Sequence, residues 1–179
     1  MIRTDRLTLR KWRESDRDAF AVLNAAPEVT QDLGGPLSRS ASDAKFDRYV
    51  AAFELRGFCR WALEDSSGQF LGYTGVMPSR PGHPLGPHAD IGWRLMRAAW
   101  GRGYATEAAT ASLRDVFERA QLKEVLAYTS VDNVRSLAVI QRLKLQRAAS
   151  LDYSEPLGAR MWQGMVWVAR PEVLEPVGA

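Results

Sequence analysis

The sequence predicts a single α/β (α+β) domain over residues 1–179, built from layers of strands and helices. Two observations carry this. Segments of period two alternate along the chain with segments of helical period. A Gly-rich turn also joins a strand to a helix past the middle of the chain, at Trp100-Gly101-Arg102-Gly103. The apolar fraction is 46%, ordinary for a globular chain long enough to bury a core.

Taken in order, Leu7, Leu9 and Trp12 lie in an extended opening segment. Ser15 or Asp16 can cap a helix carrying Phe20 and Leu23. Thr30 to Ser42 is polar, contains Gly34-Gly35-Pro36, and reads as a loop. Phe46, Tyr49, Val50 and Phe53 have helical spacing, and Gly57 stops that helix. Phe58 to Leu63 and Phe70 to Val76 read as paired strands turned at Asp65-Ser66-Ser67-Gly68. After a Pro/Gly-rich loop from Pro78 to Pro87, Ala89, Ile91, Trp93 and Leu95 alternate with Asp90, Gly92, Arg94 and Met96. Ala105, Ala108, Ala109, Leu113, Val116 and Phe117 then mark one helix face. A strand from Val125 to Val131, a helix from Asn133 to Leu143 and strands near Ala148–Tyr153 and Met161–Ala169 complete the reading.

Charge and composition exclude several functions. The net charge is +3, from 24 basic and 21 acidic residues, with no basic tract interleaved with aromatics, so nucleic-acid binding is not expected. No apolar run reaches the length of a membrane span, and the charged start is unlike a signal peptide. The one cysteine, Cys59, forms no intrachain disulfide and reads as a small core residue in a strand. A cytoplasmic protein is expected. The basic residues are nearly all arginine, which suits a phosphate-bearing small ligand.

The chemistry concentrates in Ile91 to Glu107, IGWRLMRAAWGRGYATE. The first turn of a helix has unpartnered N–H groups and a positive dipole end, and glycine lets a bulky anion approach. Such a turn cradles phosphate, with Arg102 inside it and Arg97 nearby. It is not a P-loop, because Gly103 is followed by Tyr104-Ala105 and not by Lys-Ser/Thr. It is not a dinucleotide fingerprint, because Thr106 stands where the third glycine belongs.

WGRGYATEA strongly resembles the acyl-CoA pyrophosphate loop of GNAT acetyltransferases, nearest to the branch that acetylates the N-terminal alanine of ribosomal proteins. The pattern Gln/Arg-x-x-Gly-x-Gly/Ala falls on Trp100 to Ala105, with tryptophan at the first position, as is usual in that branch. Asn133-Val134-Arg135-Ser136 is similar to the family's Asn-x-x-Ser. Leu143-Lys144-Leu145 replaces its Leu-Gly-Phe-like end, and Thr4 to Arg10 is close to its first strand. The resemblance runs from about Thr4 to about Ala169.

It implies a GNAT fold with a core from about 4 to 169, whose central mixed, mostly antiparallel sheet is flanked by helices and splayed at the acyl-CoA site, and acetyl transfer from acetyl-CoA, with no metal, to a primary amine on a protein N-terminus or a small molecule. The alternative is a non-catalytic acyl-CoA sensor on the same fold. It further implies that Leu95, Met96 and Arg97 bond the pantetheine arm. Arg102, Gly103, Tyr104, Ala105 and Thr106 would hold the pyrophosphate, with Thr106 either bonding phosphate or facing the second helical turn. Asn133 would hold the cofactor arm or cap a helix. Ser136 would protonate the leaving thiolate or bond the preceding helical turn, with Tyr153 and Tyr128 as substitutes. Asp90 would be the general base, directly or through water, or a strand-end carboxylate bound to backbone or an arginine. Glu107 would support the loop. His83 and His88 read as solvated loop histidines, with His88 a secondary proton-transfer group. The loops Gln31–Arg39, Pro78–Pro87 and Ser154–Arg160 would set specificity, and Glu28, Asp32 and Glu155 would meet a cationic amine. Trp61, Trp93 and Trp162 line the pocket or fill the core. Homodimerisation is left open.

Overall fold

The computed structural model describes residues 1–158 and 160–174. Nine strands form a sheet in the order β1-β2-β3-β4-β5-β6-β9-β7, with β8 paired on β9. They are β1 (Ile2–Arg3), β2 (Leu7–Arg10), β3 (Arg60–Asp65), β4 (Phe70–Pro78), β5 (Ala89–Leu95), β6 (Val125–Thr129), β7 (Gln146–Arg147), β8 (Tyr153–Leu157) and β9 (Arg160–Ala169). The helices are α1 (Arg17–Ala25), α2 (Pro27–Thr30), α3 (Arg39–Arg56), α4 (Tyr104–Glu118) and α5 (Val134–Arg142).

Every neighbouring pair is antiparallel except β5–β6, which α4 connects by a crossover. β5 pairs with β4 along its whole length, from Ala89 opposite Pro78 to Leu95 opposite Gly72. Against β6 it has one register pair, Asp90 with Leu126. The sheet is therefore parted beyond that point.

Alternation along the strands sends side chains to two cores. On one face Trp12, Phe20, Phe46, Tyr49 and Tyr73 interlock between α1, α3 and the sheet, with ring centroids 5.0–6.2 Å apart. Burying Phe20 and Phe46 fully contributes roughly 1.5–3 kcal/mol each. On the other face α4 lays down Ala109, Leu113, Val116 and Phe117, the apolar stripe read from its periodicity, against Val76, Ile91 and Val125 and against Val139 and Ile140 of α5.

Three segments differ from the sequence reading. Within Thr30–Ser42, α3 already starts at Arg39, because the Ser38 hydroxyl accepts from the Ala41 amide at 3.2 Å. Its first turn is polar, so no periodicity announced it. Asp16 precedes α1, but its carboxylate turns back to the Arg13 amide (2.8 Å) and to the buried Arg10 guanidinium (2.6 and 2.7 Å). Near 148–153 the chain makes a 3-10 turn, Ala149–Leu151. The strand comes later, as β8, inside the segment read as the loop Ser154–Arg160. Pro156 is tolerated there because β8 is an edge strand pairing only with β9. Ala159 of that loop lies outside the described residues.

Lys144 stands where the related pattern has glycine, and its φ is +54°. It closes α5, with its amide on Gln141 O at 3.0 Å and the Leu145 amide on Ile140 O at 3.3 Å. A side chain in the left-handed region costs about 1–2 kcal/mol, and glycine gives back about 0.5–1 kcal/mol through unfolded-chain entropy. Lys144→Gly is therefore expected to stabilise the protein by about 0.5–1 kcal/mol, raising Tm by about 1–4 °C in a domain of this size. A Tm at or below the parent's in differential scanning calorimetry would contradict this.

Candidate active site

The parting of β5 from β6 opens a cleft of about 1110 Å³. Its floor is Ile91 to Leu95 on one side and Ala127 to Thr129 on the other, and one end reaches the N-terminus of α4. Met96 gives its amide to Leu71 O on β4 (2.9 Å) and its carbonyl to the Ala99 amide (2.9 Å). By alternation the backbone of Trp93 and Leu95 faces the gap, and Leu95 O accepts there from Trp100 Nε1 at 2.9 Å. Of the three residues expected beside the cofactor arm, Leu95 lines the cleft, while Met96 and Arg97 do not. Trp93 does, and strand parity was the signal that could have picked it out.

At the cradle, Gly101 and Gly103 have φ of +74° and +79°, and Gly103 is the N-cap of α4 with no side-chain cap. The first-turn amides of Tyr104, Ala105 and Thr106 therefore point outward without helical partners. The Thr106 hydroxyl is buried without a hydrogen-bond partner and lines the cleft. An anion with several oxygens fits these donors. The turn is braced from behind. Glu107 accepts from Thr4 Oγ1 (2.5 Å), the Arg6 amide (3.1 Å) and Arg6 Nε (2.7 Å), and Arg6 donates to Arg102 O (2.8 Å). Burial pushes the Glu107 carboxyl up, but these donors outweigh it and hold it below the usual carboxylate range. Glu107 thus supports the loop, as the sequence reading has it.

α5 enters from the other side of the gap. Asn133 Oδ1 accepts from the Ser136 amide (3.1 Å), so Asn133 is an N-cap whose amide group remains a donor, and Asn133 and Ser136 both line the cleft. Arg135 lies 4.2 Å from the Trp100 ring centroid and reaches Glu28 O (3.5 Å) and Asp32 Oδ2 (3.7 Å), tying α5 to the α2 segment.

Asp90 is buried on the α1/α3 face of β5, where Arg60 pairs with its carboxylate and donates to its carbonyl at 2.8 Å. Gly92 makes room: a Cβ there would stand 3.0 Å from Arg60 Nη2. The arginine partner that the sequence reading allowed for Asp90 is present in the structure. Nothing in the sequence reading identified Arg60, which sits on a different strand 30 positions away.

The histidines are packed, not solvated. His83 is 7% exposed, its ring 4.6 Å from His88, 5.2 Å from Tyr128 and 5.0 Å from Tyr153. Burial, with His88 beside it, pushes the His83 imidazole down, so it is neutral at pH 7. His83 Nδ1 accepts from the Leu85 amide, which leaves the proton of the neutral His83 ring on Nε2, whereas His88 Nδ1 faces Gly86 O. Both Nε2 atoms and Tyr153 Oη are buried without partners. Burial raises the phenols of Tyr128 and Tyr153, helped by the charges of Asp90 and Glu155 respectively, so both stay protonated. Cys59 is buried and its thiol is pushed up by burial to about 11, consistent with a core residue. Trp61 is core and Trp93 lines the cleft. Among the described residues no cluster of three or more His, Cys, Asp or Glu is placed to hold a metal, and no helix is long and apolar enough to cross a membrane.

The acids expected to meet a cationic amine are engaged: Asp32 with Arg135, and Glu155 with Arg80. Glu28 is exposed and does not line the cleft.

Residues 6–146 match the model of the acetyltransferase (GNAT) domain. The FsC-acetyl coenzyme A-N(2)-transacetylase of Aspergillus fumigatus is 31% identical over 146 residues, which are 78% of this chain and 62% of that relative. An acetyltransferase structure from Agrobacterium tumefaciens superposes with a TM-score of 0.75 at 29% identity, covering 94% of this chain and 93% of that one. The fold is also that of spermidine N-acetyltransferase from Vibrio cholerae, determined with CoA and spermine, with a TM-score of 0.76 at 14% identity, covering 96% and 99%. With its parted sheet and bare helix terminus set in this company, the chain belongs to the GNAT acetyltransferase family.

Proposed function

We propose that the chain is an acetyl-CoA-dependent N-acetyltransferase that moves an acetyl group to a primary amine, on a peptide N-terminus or a small molecule, by direct attack on the thioester. The observation that carries this reading is the continuity of one cleft. It runs from the bare amides of α4, through the gap between β5 and β6, to a polar floor at Asp90 and Tyr128. CoA bound in the Vibrio cholerae relative of the same fold supports the choice of cosubstrate. Here Arg102 and the amides of Gly103 to Thr106, with the Thr106 hydroxyl, hold the pyrophosphate. Leu95 bonds the pantetheine arm from the strand edge, and Asn133 donates to it from α5.

The reaction needs a deprotonated amine, a held carbonyl and a proton for the departing thiolate. Ser136, in the first turn of α5, supplies that proton in this reading. Of the three carboxylates that line the cleft, Asp32 is tied to Arg135 of α5, and Asp90 and Glu155 are the two weighed for taking the amine's proton. Protonating Asp90 strands the buried Arg60, whereas Glu155 is paired with Arg80, whose side chain is 51% exposed and is rehydrated at little cost. That difference favours Glu155 as the base, with Asp90 as the group that seats Arg60 beneath the acceptor.

Three results test this. Acetyl-CoA is expected to raise the Tm of the parent through linkage, and Gly103→Asp, which puts bulk and negative charge in the cradle, is expected to abolish the rise. A folded Gly103→Asp protein with the parental shift would remove the cradle from the mechanism. Ser136→Ala is expected to lower kcat by about 10²–10⁴-fold with little change in acetyl-CoA affinity. A kcat within about twofold of the parent, set against that scale, returns Ser136 to a helical serine. Glu155→Gln is expected to be slow at neutral pH and to recover as pH rises and the amine deprotonates itself. Asp90→Asn is expected chiefly to lose stability, by about 3–5 kcal/mol, because it leaves Arg60 buried and unpaired. The reverse pattern, measured by rate–pH profiles and denaturation, would make Asp90 the base.

A further inference from the structure

The charge of the cleft is one-sided. Among the described residues nine Lys and Arg side chains line it against three carboxylates, and each carboxylate is already paired: Asp32 with Arg135, Asp90 with Arg60, Glu155 with Arg80. The surplus falls chiefly in two places. Arg102 and Arg142 stand with the α4 cradle and α5, and Arg56, at the end of α3, stands apart from both groups. The other group stands across β4 and β5 on the α1/α3 face, where Lys45 and Arg48 of α3 meet Arg94 of β5. None of these three has an ion-pair partner among the described residues.

Their hydrogen-bond neighbours are an amide and a phenol, with no carboxylate among them. Lys45 Nζ lies 3.0 Å from Tyr73 Oη and 3.4 Å from Asn24 Oδ1, and Arg94 Nη1 donates to the same Asn24 oxygen at 2.5 Å. The Nε–H of Arg94 is buried without a partner. Arg48 leans on the Tyr49 ring. Two cations sharing one amide oxygen is an arrangement short of negative charge. The local phenol registers this: burial pushes Tyr73 up, but Arg94 and Lys45 outweigh it and bring it below the ordinary phenol range. Burial in turn depresses the Lys45 ammonium.

From this we infer that the acceptor is an amine that also carries a carboxylate, an amino acid or short acidic peptide rather than a polyamine, and that Lys45, Arg94 and Arg48 bind that carboxylate. The inference rests on the acetyl-transfer reading and adds the substrate class to it. Register supports the placement. Arg94, Gly92 and Asp90 follow one another on the same face of β5, about 6–7 Å apart at each step of two residues. The Arg60 guanidinium covers Gly92 on that face, so an acceptor lying over Arg60 has Arg94 and Lys45 on one side and Asp90 on the other. A guanidinium binds a carboxylate through two parallel N–H groups, and Arg94 has an unspent N–H to offer. A polycation on this floor would meet like charge.

The test is a panel of amino acids and short peptides, each as the free carboxylate and as the carboxamide, with spermidine as the polycation, followed by free-thiol release from acetyl-CoA. Carboxylates are expected to exceed their carboxamides by about tenfold or more in kcat/KM, the scale of one charge-assisted hydrogen bond. Lys45→Met and Arg94→Met are expected to erase that preference while the acetyl-CoA affinity, read by calorimetry, stays within about twofold, well under the tenfold that one such bond is worth. Lys45→Met carries the test alone if the loss of the Arg94–Asn24 bond unfolds the other variant. Equal or better turnover of carboxamides or spermidine overturns the inference. So does a loss of acetyl-CoA affinity in the two variants, which would give these cations to the cofactor. If the panel is not turned over, calorimetry of its N-acetylated forms with CoA present decides: carboxylates that bind no better than carboxamides overturn the inference. Failure of the parent to bind acetyl-CoA would instead sink the acetyl-transfer reading alone.

Discussion

The structure turns on one strand pairing that stops early. β5 and β6 run parallel because α4 carries the chain from one end of the sheet back to the other, and they share a register only where Asp90 meets Leu126. Beyond that pair the strand edges have no partner in the sheet. Buried backbone groups must be satisfied, so an unpaired edge inside a domain is tolerated where it lines a space for something polar. Everything at the site follows from that. The edge of Trp93 and Leu95 faces the gap, α4 begins at the gap's end, and α5 caps itself on the far side with Asn133.

Two kinds of brace hold the opening. The first is electrostatic and lies outside the cleft, where Thr4 and Arg6 fasten Glu107 and the Arg102 carbonyl so that the left-handed turn through Gly101 and Gly103 keeps its shape. The second lies beneath it, where Arg60 crosses under Gly92 to reach both the carbonyl and the carboxylate of Asp90. A buried guanidinium is tolerable only with such partners, which makes this pair a rigid element of the floor. Beyond Asp90 stand the His83–His88–Tyr128–Tyr153 ring cluster and the edge hairpin of β8 and β9.

The sequence was most legible where local spacing and burial agree. The stripe of α4, the strand alternation of β5 and the glycine turn between them lie within one stretch of chain, and each is governed by neighbours a few residues away. The family resemblance singled out Arg102 to Thr106, with Asn133 and Ser136, and all of them line the cleft. Legibility fell off where a polar first turn hid the start of α3, and where β8 existed only through its pairing with β9.

By itself, then, the sequence determined the layer architecture, the glycine turn that opens α4 and the Asn133-capped helix that faces it, because period, glycine placement and capping are local properties of the chain. Tertiary structure alone decided what each charged side chain does. Asp90 became the partner of Arg60, Met96 turned its backbone to β4, and the two loop histidines were packed against tyrosines. Lys45 and Arg94 were left facing each other without a carboxylate. A charge is satisfied by whatever lies within a few ångströms in space, and for these residues the nearest groups stand 21 to 70 positions away along the chain, or on the opposite face of a strand whose orientation only the assembled sheet sets.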